Sequence, residues 1–321
     1  MPRTATLLKI TAGTAVGAAA LYVTYTYLVS ASTVLKTLEK ANPFLVLAAT
    51  ACEAAWYAAC ITGWRQTFTP LTPNPPGHGT LFALYNVKLA VNQAAGPART
   101  VSGDAVRLYY AVQLGYPVTT VTPTIVADLI LGNLGYLTVI AIAMTLAADE
   151  IPWEMALINA LGFPALAFLW YTLTREELCE EAFEKPLETL LSKLGVEVNL
   201  HGLAGSTSEV FGSRSAPKAY LLYTGGWAAR VLRLYALTYA VWPDANPLLP
   251  AVMSVVIRGS AALAPSPAGL GIVEGITVEA MKTLGAPAST VAAILILDRV
   301  YATLIPAVMG GLCLWYLQRR I

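Results

Sequence analysis

Charged side chains interrupt several apolar stretches of this chain, and they are the residues best suited to chemistry. Arg230 and Arg233 lie inside one such stretch and share a helix face at i, i+3 spacing. On a helix, Arg230 would lie about 18 Å along the axis from Lys218, too deep for a flanking charge. An arginine at the centre of a membrane helix costs on the order of 3 kcal/mol. We therefore expect these groups to face a partner, a cavity or a ligand.

Further charges lie beside two segments that proline and glycine interrupt. These segments read "GPARTVSGD", Gly96 to Asp104, and "APSPAGLGIVEG", Ala264 to Gly275. Proline removes an N–H donor, and glycine permits positive φ or close backbone approach. We expect each segment to form a re-entrant loop or a short half-helix. Such backbone is tolerated at membrane depth only where it is buried in protein or lines a wet cavity.

Two interpretations of the charges remain open. They pair with one another in a satisfied core, for example Arg299 with Asp128, or they bind an anionic ligand. Guanidinium groups and the N-termini of half-helices favour phosphate, through bidentate hydrogen bonds and the positive end of the helix dipole. The acids available to the arginines are Glu53, Asp104, Asp128, Glu274, Glu279 and Asp298.

Composition indicates an integral membrane protein. Of 321 residues, 56% are hydrophobic and 12% charged, against about 25% charged in a soluble domain. The net charge of +1 gives no argument for binding nucleic acid. We expect an all-α, polytopic fold of about seven or eight transmembrane helices. The candidate spans are Leu7–Val29, Pro43–Trp64, Pro117–Ala147, Ile151–Leu173, Ala216–Val241, Pro247–Leu263, Ala288–Leu317 and, more weakly, Thr80–Ala95.

The chain divides into four parts within a single membrane domain: 1–42, an N-terminal anchor; 43–150, a first half; 151–215, a linking helix and connector; and 216–321, a second half. We expect the anchor to be retained, because Lys9 interrupts its apolar run and further spans follow. The connector Arg175–Glu197 has an amphipathic pattern with seven acids and three bases, the wrong sign for anionic lipid. It is a solvated connector or a docking site for a partner protein.

The two halves repeat at a shift of 170 positions. "LGYPVTTV", Leu114–Val121, falls on "LGAPASTV", Leu284–Val291, with five of eight residues identical. The same shift pairs Lys88 with Arg258, Pro97 with Pro267, Asp104 with Glu274 and Asp128 with Asp298. Repeats with Pro- and Gly-broken helices are common in transporters, whose site lies between the halves. Whether this repeat is parallel or inverted is left open.

Other chemistry has little support in the sequence. The four cysteines form no C-x-x-C pair, and neither His78 nor His201 has neighbours at metal-ligand spacing. We expect no metal site and no cofactor, and we find no P-loop or nucleophile elbow. A membrane-embedded transferase remains an alternative, with Asp104 and Glu274 as general bases.

At these residues the chain resembles the flippase-like membrane domain of lysylphosphatidylglycerol synthases and of some archaeal glycosyltransferase-associated membrane proteins. "APSPAGLGIVEG" is similar to the family signature P-x-S-P-G-G-L-G-x-x-E-G, and "NQAAGPARTVSGDAVRLYYAVQLG" resembles N-x-x-x-P-x-R-x-G-E-x-x-R. "ILILDRVYATLIPAVMGGL" resembles the closing helix. The resemblance covers Thr80 to Leu312. It does not include the aminoacyl-transferase domain, so lipid aminoacylation is not expected.

The resemblance carries over position by position, with three departures. Asp104 replaces the usual glutamate, Ala268 stands where a glycine is expected, and Ala127-Asp128 replaces an E-R pair. The matching positions of the first motif are Asn92, Pro97, Arg99, Asp104 and Arg107, and those of the second are Pro267, Gly269, Gly271, Glu274 and Arg299.

Together these features predict a protein of the plasma membrane that moves a lipid with an anionic headgroup, a phospholipid or a polyprenyl-phosphate-linked sugar. It is more a transporter than an enzyme. The alternative is a non-transporting scaffold for a glycosyltransferase or another lipid-modifying enzyme. The expected substrate-binding residues are Arg99, Arg107, Arg230, Arg233, Arg258 and Arg299. The expected gating or structural residues are Asn92, Pro97, Asp104, Asp128, Pro267, Gly269, Gly271, Glu274 and Asp298.

Overall fold

Every described part of the chain folds into helices and the turns that join them. The computed structural model describes residues 31–94, 99–146, 153–181, 185, 202–264 and 266–321. The expected all-α fold is confirmed over these ranges. Residues 1–30 of the predicted anchor 1–42 lie outside them, as do Pro97 and most of the amphipathic connector Arg175–Glu197.

The helices follow the apolar stretches expected from the sequence, from Pro43 onward. In chain order they are α1 (Ala31–Glu39), α2 (Pro43–Phe68), α3 (His78–Ala94), α4 (Arg99–Gln113), α5 (Val118–Leu146), α6 (Trp153–Leu173), α7 (Glu176–Cys179), α8 (Leu203–Gly212), α9 (Ser215–Val241), α10 (Leu248–Leu263), α11 (Ile272–Thr283), α12 (Ala288–Arg299) and α13 (Ile305–Gln318). A 3-10 turn, Pro267–Gly269, precedes α11, and a π-helical turn, Val300–Leu304, joins α12 to α13.

Three of the described helical stretches are long and apolar enough to cross a bilayer: Pro43–Phe68, Val118–Ala143 and Ala288–Gln318. Pro164–Leu173 and Leu248–Ala261 are apolar but shorter. Helix α9 has 27 residues, so its length suffices, but charged side chains interrupt it. These helices identify an integral membrane protein, and the count of seven or eight crossings stays a prediction.

Several structural boundaries recur 170 residues apart. Helix α3 begins at His78 and α10 at Leu248, and α5 begins at Val118 and α12 at Ala288. The turns before α5 and α12 contain Gly115 and Gly285, with φ of 92° and 77°. Both turns need this backbone conformation, which glycine adopts without a steric penalty.

The chain forms two compact units, and the first draws on distant parts of the sequence. It consists of the described parts of Met1–Ala54, Tyr85–Arg107 and Ala229–Arg319. Its core contains Leu237, Met253 and Ile294, all almost fully buried, from α9, α10 and α12. This grouping into two units does not test the four-part division expected from the sequence, which stays a prediction.

The second unit consists of Ala55–Leu84, the described parts of Leu108–Ala228, and Arg320–Ile321. Its helices approach closely at small residues. A Cβ atom at Gly135 of α5 would lie 2.8 Å from the backbone nitrogen of Thr224 on α9. In the interior of this unit, the Trp64 indole N–H donates a hydrogen bond to the Thr124 hydroxyl at 3.2 Å. Small residues permit such contact between membrane helices, where packing replaces the hydrophobic driving force.

Candidate functional site

The broken segment between α10 and α11 contains three residues whose backbone conformation does not occur in ordinary helices. Its backbone has φ of 54° at Ala268, 68° at Gly269 and 78° at Gly271. The Ser266 hydroxyl closes the loop by donating to the carbonyl of Leu270 at 2.9 Å. Side chains other than glycine rarely adopt positive φ. The glycines of this motif are therefore explained by backbone geometry.

Glu274 and Arg299 hold this segment in place. Glu274 is 2% exposed, and its Oε2 accepts a hydrogen bond from the backbone N–H of Gly271 at 2.7 Å. Its Oε1 accepts from Nε of Arg299 at 2.6 Å, and Nη1 of Arg299 donates to the carbonyl of Ala268 at 2.9 Å. The ion pair thus links the last turn of α12 to the start of α11. The carboxylate at the N-terminus of α11 also complements the helix dipole.

One edge of the Arg299 guanidinium is not used by these contacts. Its Nη2 is buried and has no hydrogen-bond partner among the described residues, while the side chain as a whole is 20% exposed. A guanidinium carries five donors in a planar fork. Arg299 therefore presents a fixed, unused donor beside the broken segment.

A second buried ion cluster joins α3 to α4. Oδ1 of Asp104 lies 2.7 Å from Nη2 of Arg107 and 3.1 Å from Nζ of Lys88. Arg107 is fully buried, and Lys88 and Arg107 have further interactions. The helices are close here, because a Cβ at Gly103 would lie 2.7 Å from the carbonyl oxygen of Lys88 and would collide with the Asn92 amide. The close packing of α4 against Asn92 of α3 therefore explains why the motif has glycine at position 103.

A third cluster surrounds Arg233 of α9. Nη1 of Arg233 donates to Oε2 of Glu53 on α2, and Nη2 donates to Oδ1 of Asp298 on α12. The Tyr301 ring lies 5.5 Å from the guanidinium carbon, within cation–π range. The Tyr301 hydroxyl is 2.9 Å from that of Thr50. Both terminal nitrogens of the Arg233 guanidinium, Nη1 and Nη2, therefore bind carboxylates.

The structure brings together seven of the residues expected from the sequence, in three clusters of the first unit. Arg299 has a carboxylate partner in Glu274, and its expected pairing with Asp128 stays a prediction. Arg230 and Arg258 are partly buried and have other interactions, and Asp128 is buried in the second unit. The side chains of Arg99 and Pro267 are not described. The seven residues are Arg107, Arg233, Arg299, Asn92, Asp104, Glu274 and Asp298.

The sequence analysis did not predict the role of Glu53. It included Glu53 among the acids available to the arginines but did not identify it as a partner of Arg233. The available signal was a lone carboxylate within the apolar run Pro43–Phe68, where an unpaired charge is unfavourable. No group of three or more His, Cys, Asp or Glu side chains among the described residues is arranged to hold a metal ion.

An all-helical fold over the described residues, apolar helices of membrane length and buried, paired charges define an integral membrane protein. Over residues 10–310 the chain matches the family described as lysylphosphatidylglycerol synthase TM region. The chain belongs to this family, and the resemblance inferred from the two motifs is confirmed. It is a membrane protein related to lipid-modifying synthases. No curated protein matches the chain significantly.

Backbone strain at Ala268 gives a first prediction. Ala268→Gly is expected to stabilise the protein by about 0.5–1 kcal/mol, because the strain of an L-residue at positive φ outweighs the added flexibility of glycine. The unfolding temperature in detergent measures the change. Ala264→Gly is the control, since Ala264 has φ of −67° and is 3% exposed, and it should destabilise. Equal losses in both variants would contradict the role of strain.

Proposed function

We propose that this chain moves a lipid with an anionic headgroup, a phospholipid or a polyprenyl-phosphate-linked sugar, between the leaflets of the plasma membrane. The observation that carries the proposal is the Arg299 guanidinium. Glu274 and the Ala268 carbonyl fix it beside the broken segment, with Nη2 unpartnered among the described residues. A phosphate oxygen is a natural acceptor for that donor. Membership of a family related to lipid-modifying synthases supports a lipid as the substrate.

The proposed machinery is a two-fold repeat of seven or eight crossings with two re-entrant segments. Helix starts at His78 and Leu248, and at Val118 and Ala288, support it by their common spacing of 170 residues. The positive φ of Ala268, Gly269 and Gly271 supports a re-entrant turn in the second half. Backbone of this kind in a membrane must line a cavity or be buried in protein.

The buried clusters suggest how the residues divide their roles. Arg299, Arg107, Arg99 and Arg258 engage the headgroup phosphate in this proposal, and Arg230 lines the path. Asp104 and Glu274 hold the broken segments, each as a carboxylate bound to a base. Arg233 has a structural role in this proposal, since its guanidinium already binds two carboxylates, Glu53 and Asp298.

A lipid-translocation assay on proteoliposomes tests the proposal. Labelled anionic and zwitterionic lipids are placed in one leaflet, and their loss from it is followed with wild type and with Glu274→Gln. We expect faster, anion-selective translocation by the wild type and its loss in the variant, because the neutral amide no longer holds the Arg299 guanidinium. Arg299→Gln should give the same loss.

Glu279→Gln is the matched control. Glu279 lies on the same helix as Glu274 but is exposed, and it pairs with Lys282 at 2.7 Å on the surface. This variant should translocate lipid as the wild type does. A folded wild type that does not accelerate translocation would contradict the proposal and favour the scaffold alternative, in which the chain holds a lipid-modifying enzyme or glycosyltransferase. A covalently changed lipid would favour a transferase.

A further inference from the structure

The cluster of Glu53, Arg233 and Asp298 holds unequal numbers of opposite charges. Two carboxylates share one guanidinium, and the side chains are 5%, 3% and 7% exposed. With both acids ionised, the cluster carries one excess negative charge. An excess charge in a water-poor interior is strongly unfavourable unless something neutralises it.

The unbalanced charge can be assigned to one oxygen. Oε2 of Glu53 accepts the hydrogen bond from Arg233, whereas Oε1 is buried and has no hydrogen-bond partner among the described residues. Asp298 accepts from the other end of the same guanidinium. A proton bound at Oε1 removes the excess charge and leaves both bonds to Arg233 intact. The cluster then consists of one ion pair and one neutral acid.

Other ionisable groups on the surrounding helices are engaged elsewhere or exposed. Tyr301 directs its hydroxyl to Thr50 and to the carbonyl of Val46, and Arg230 has another interaction. Among the remaining groups on these helices, Arg299 and Glu274 bind each other, and Arg258 has an interaction of its own. The others are exposed or partly exposed: Lys36, Glu39, Lys40, Cys52, Tyr235, Tyr239, Glu279 and Lys282.

We propose that Glu53 is a proton-binding site whose occupancy is coupled to the broken segment. A proton from water bonds to Oε1 and changes the cluster charge from −1 to 0, and its release restores the carboxylate. Asp298 and Arg299 are neighbours at the end of α12; the first binds the cluster and the second binds Glu274. If Asp298 shifts when Glu53 loses its proton, the neighbouring Arg299 guanidinium, which fixes the broken segment, moves with it.

The end of α12 has a structure suited to such a shift. The π-helical turn Val300–Leu304 follows Arg299 directly. Single π-helical turns inside α-helices occur frequently at functional sites. The coupling to lipid movement rests on the proposed function. The proton site itself rests only on the cluster.

Infrared difference spectroscopy tests the proton site without any transport assay. Spectra of the purified protein in lipid are recorded at high and low pH, and the C=O stretching band of a protonated carboxylic acid is followed. We expect this band to form in the wild type and to be lost in Glu53→Gln. In Glu279→Gln, which changes an exposed acid, the buried-acid band should persist.

A second variant keeps the test decisive if Glu53→Gln folds poorly. In Asp298→Asn, Glu53 becomes the sole counter-ion of Arg233 and should stay ionised, so the band should again be lost. A wild-type band that persists in both Glu53→Gln and Asp298→Asn would overturn the proton site, as would a wild type without the band.

Transport under an imposed pH gradient tests the coupling. The wild type should change its rate of lipid translocation with the direction of the gradient, and Glu53→Gln, fixed in the neutral form, should lose this response. Translocation that ignores the gradient in the wild type would overturn the coupling. A wild type that moves no lipid contradicts the proposed function instead, and the infrared band still decides the proton site.

Discussion

Replacing Arg233 with methionine is expected to destabilise the protein by about 3–5 kcal/mol. The change removes the cation that, among the described residues, binds both Glu53 and Asp298, and both acids are almost fully buried. Breaking a buried ion cluster on one side leaves an uncompensated charge in the interior, which is the reason for the large effect. Unfolding in detergent, followed by circular dichroism against temperature, measures it.

Two companion variants separate charge from packing. Arg233→Met combined with Glu53→Gln and Asp298→Asn removes every charge of the cluster and should recover most of the lost stability. Lys282→Met removes a cation from the exposed pair with Glu279 and should cost at most about 1 kcal/mol. A triple variant as unstable as Arg233→Met alone would mean that packing, and not charge, governs the site.

Gly310→Ala is expected to destabilise the protein by about 1–3 kcal/mol, because the new Cβ has no room. It would collide with the Cβ of Ala90 and lie 2.7 Å from the carbonyl oxygen of Asn86, both on α3. Backbone atoms cannot move aside as a flexible side chain does, so α3 and α13 must separate. The same helix α3 carries Lys88, which binds Asp104. The unfolding temperature in detergent reports the loss.

Gly311→Ala is the matched control at the next position. A Cβ at Gly311 meets no atom within 4 Å. The substitution also favours the helix by up to about 1 kcal/mol, because alanine has the higher helix propensity. The two neighbouring variants should therefore change stability in opposite directions. Similar changes at both positions would contradict the close approach of α3 and α13.

Much of the fold follows from hydropathy and helix-breaking residues. The apolar stretch Pro247–Leu263 corresponds to α10, and Ala216–Val241 corresponds to α9 within one residue. These bounds are predictable because proline, glycine and polar residues interrupt helices locally. The grouping of the helices into two units was not predictable, since it depends on side-chain packing between segments far apart in the chain.

For the candidate site, too, the local features were predictable and the contacts between distant residues were not. The motif that contains Glu274 predicted a broken helix, and the turn at Ala268 has the geometry that makes glycine the expected residue there. The partner of each charge was not predictable. Arg299 has Glu274 as its carboxylate, and Arg233 is bound by Glu53 from a helix 180 residues earlier in the chain. Pairing of this kind needs coordinates, because several acids were equally compatible with each arginine.

The sequence by itself determined that this is an all-helical membrane protein of the lysylphosphatidylglycerol synthase TM region family, with charges and broken backbone inside apolar segments. Hydropathy, helix-breaking residues and motifs are properties of short stretches, so they can be read without a fold. Only the tertiary structure decided that two carboxylates share Arg233 and that one donor of Arg299 has no partner among the described residues. Those facts depend on how distant helices pack, because the balance of charge in a buried cluster is set by the side chains that meet there.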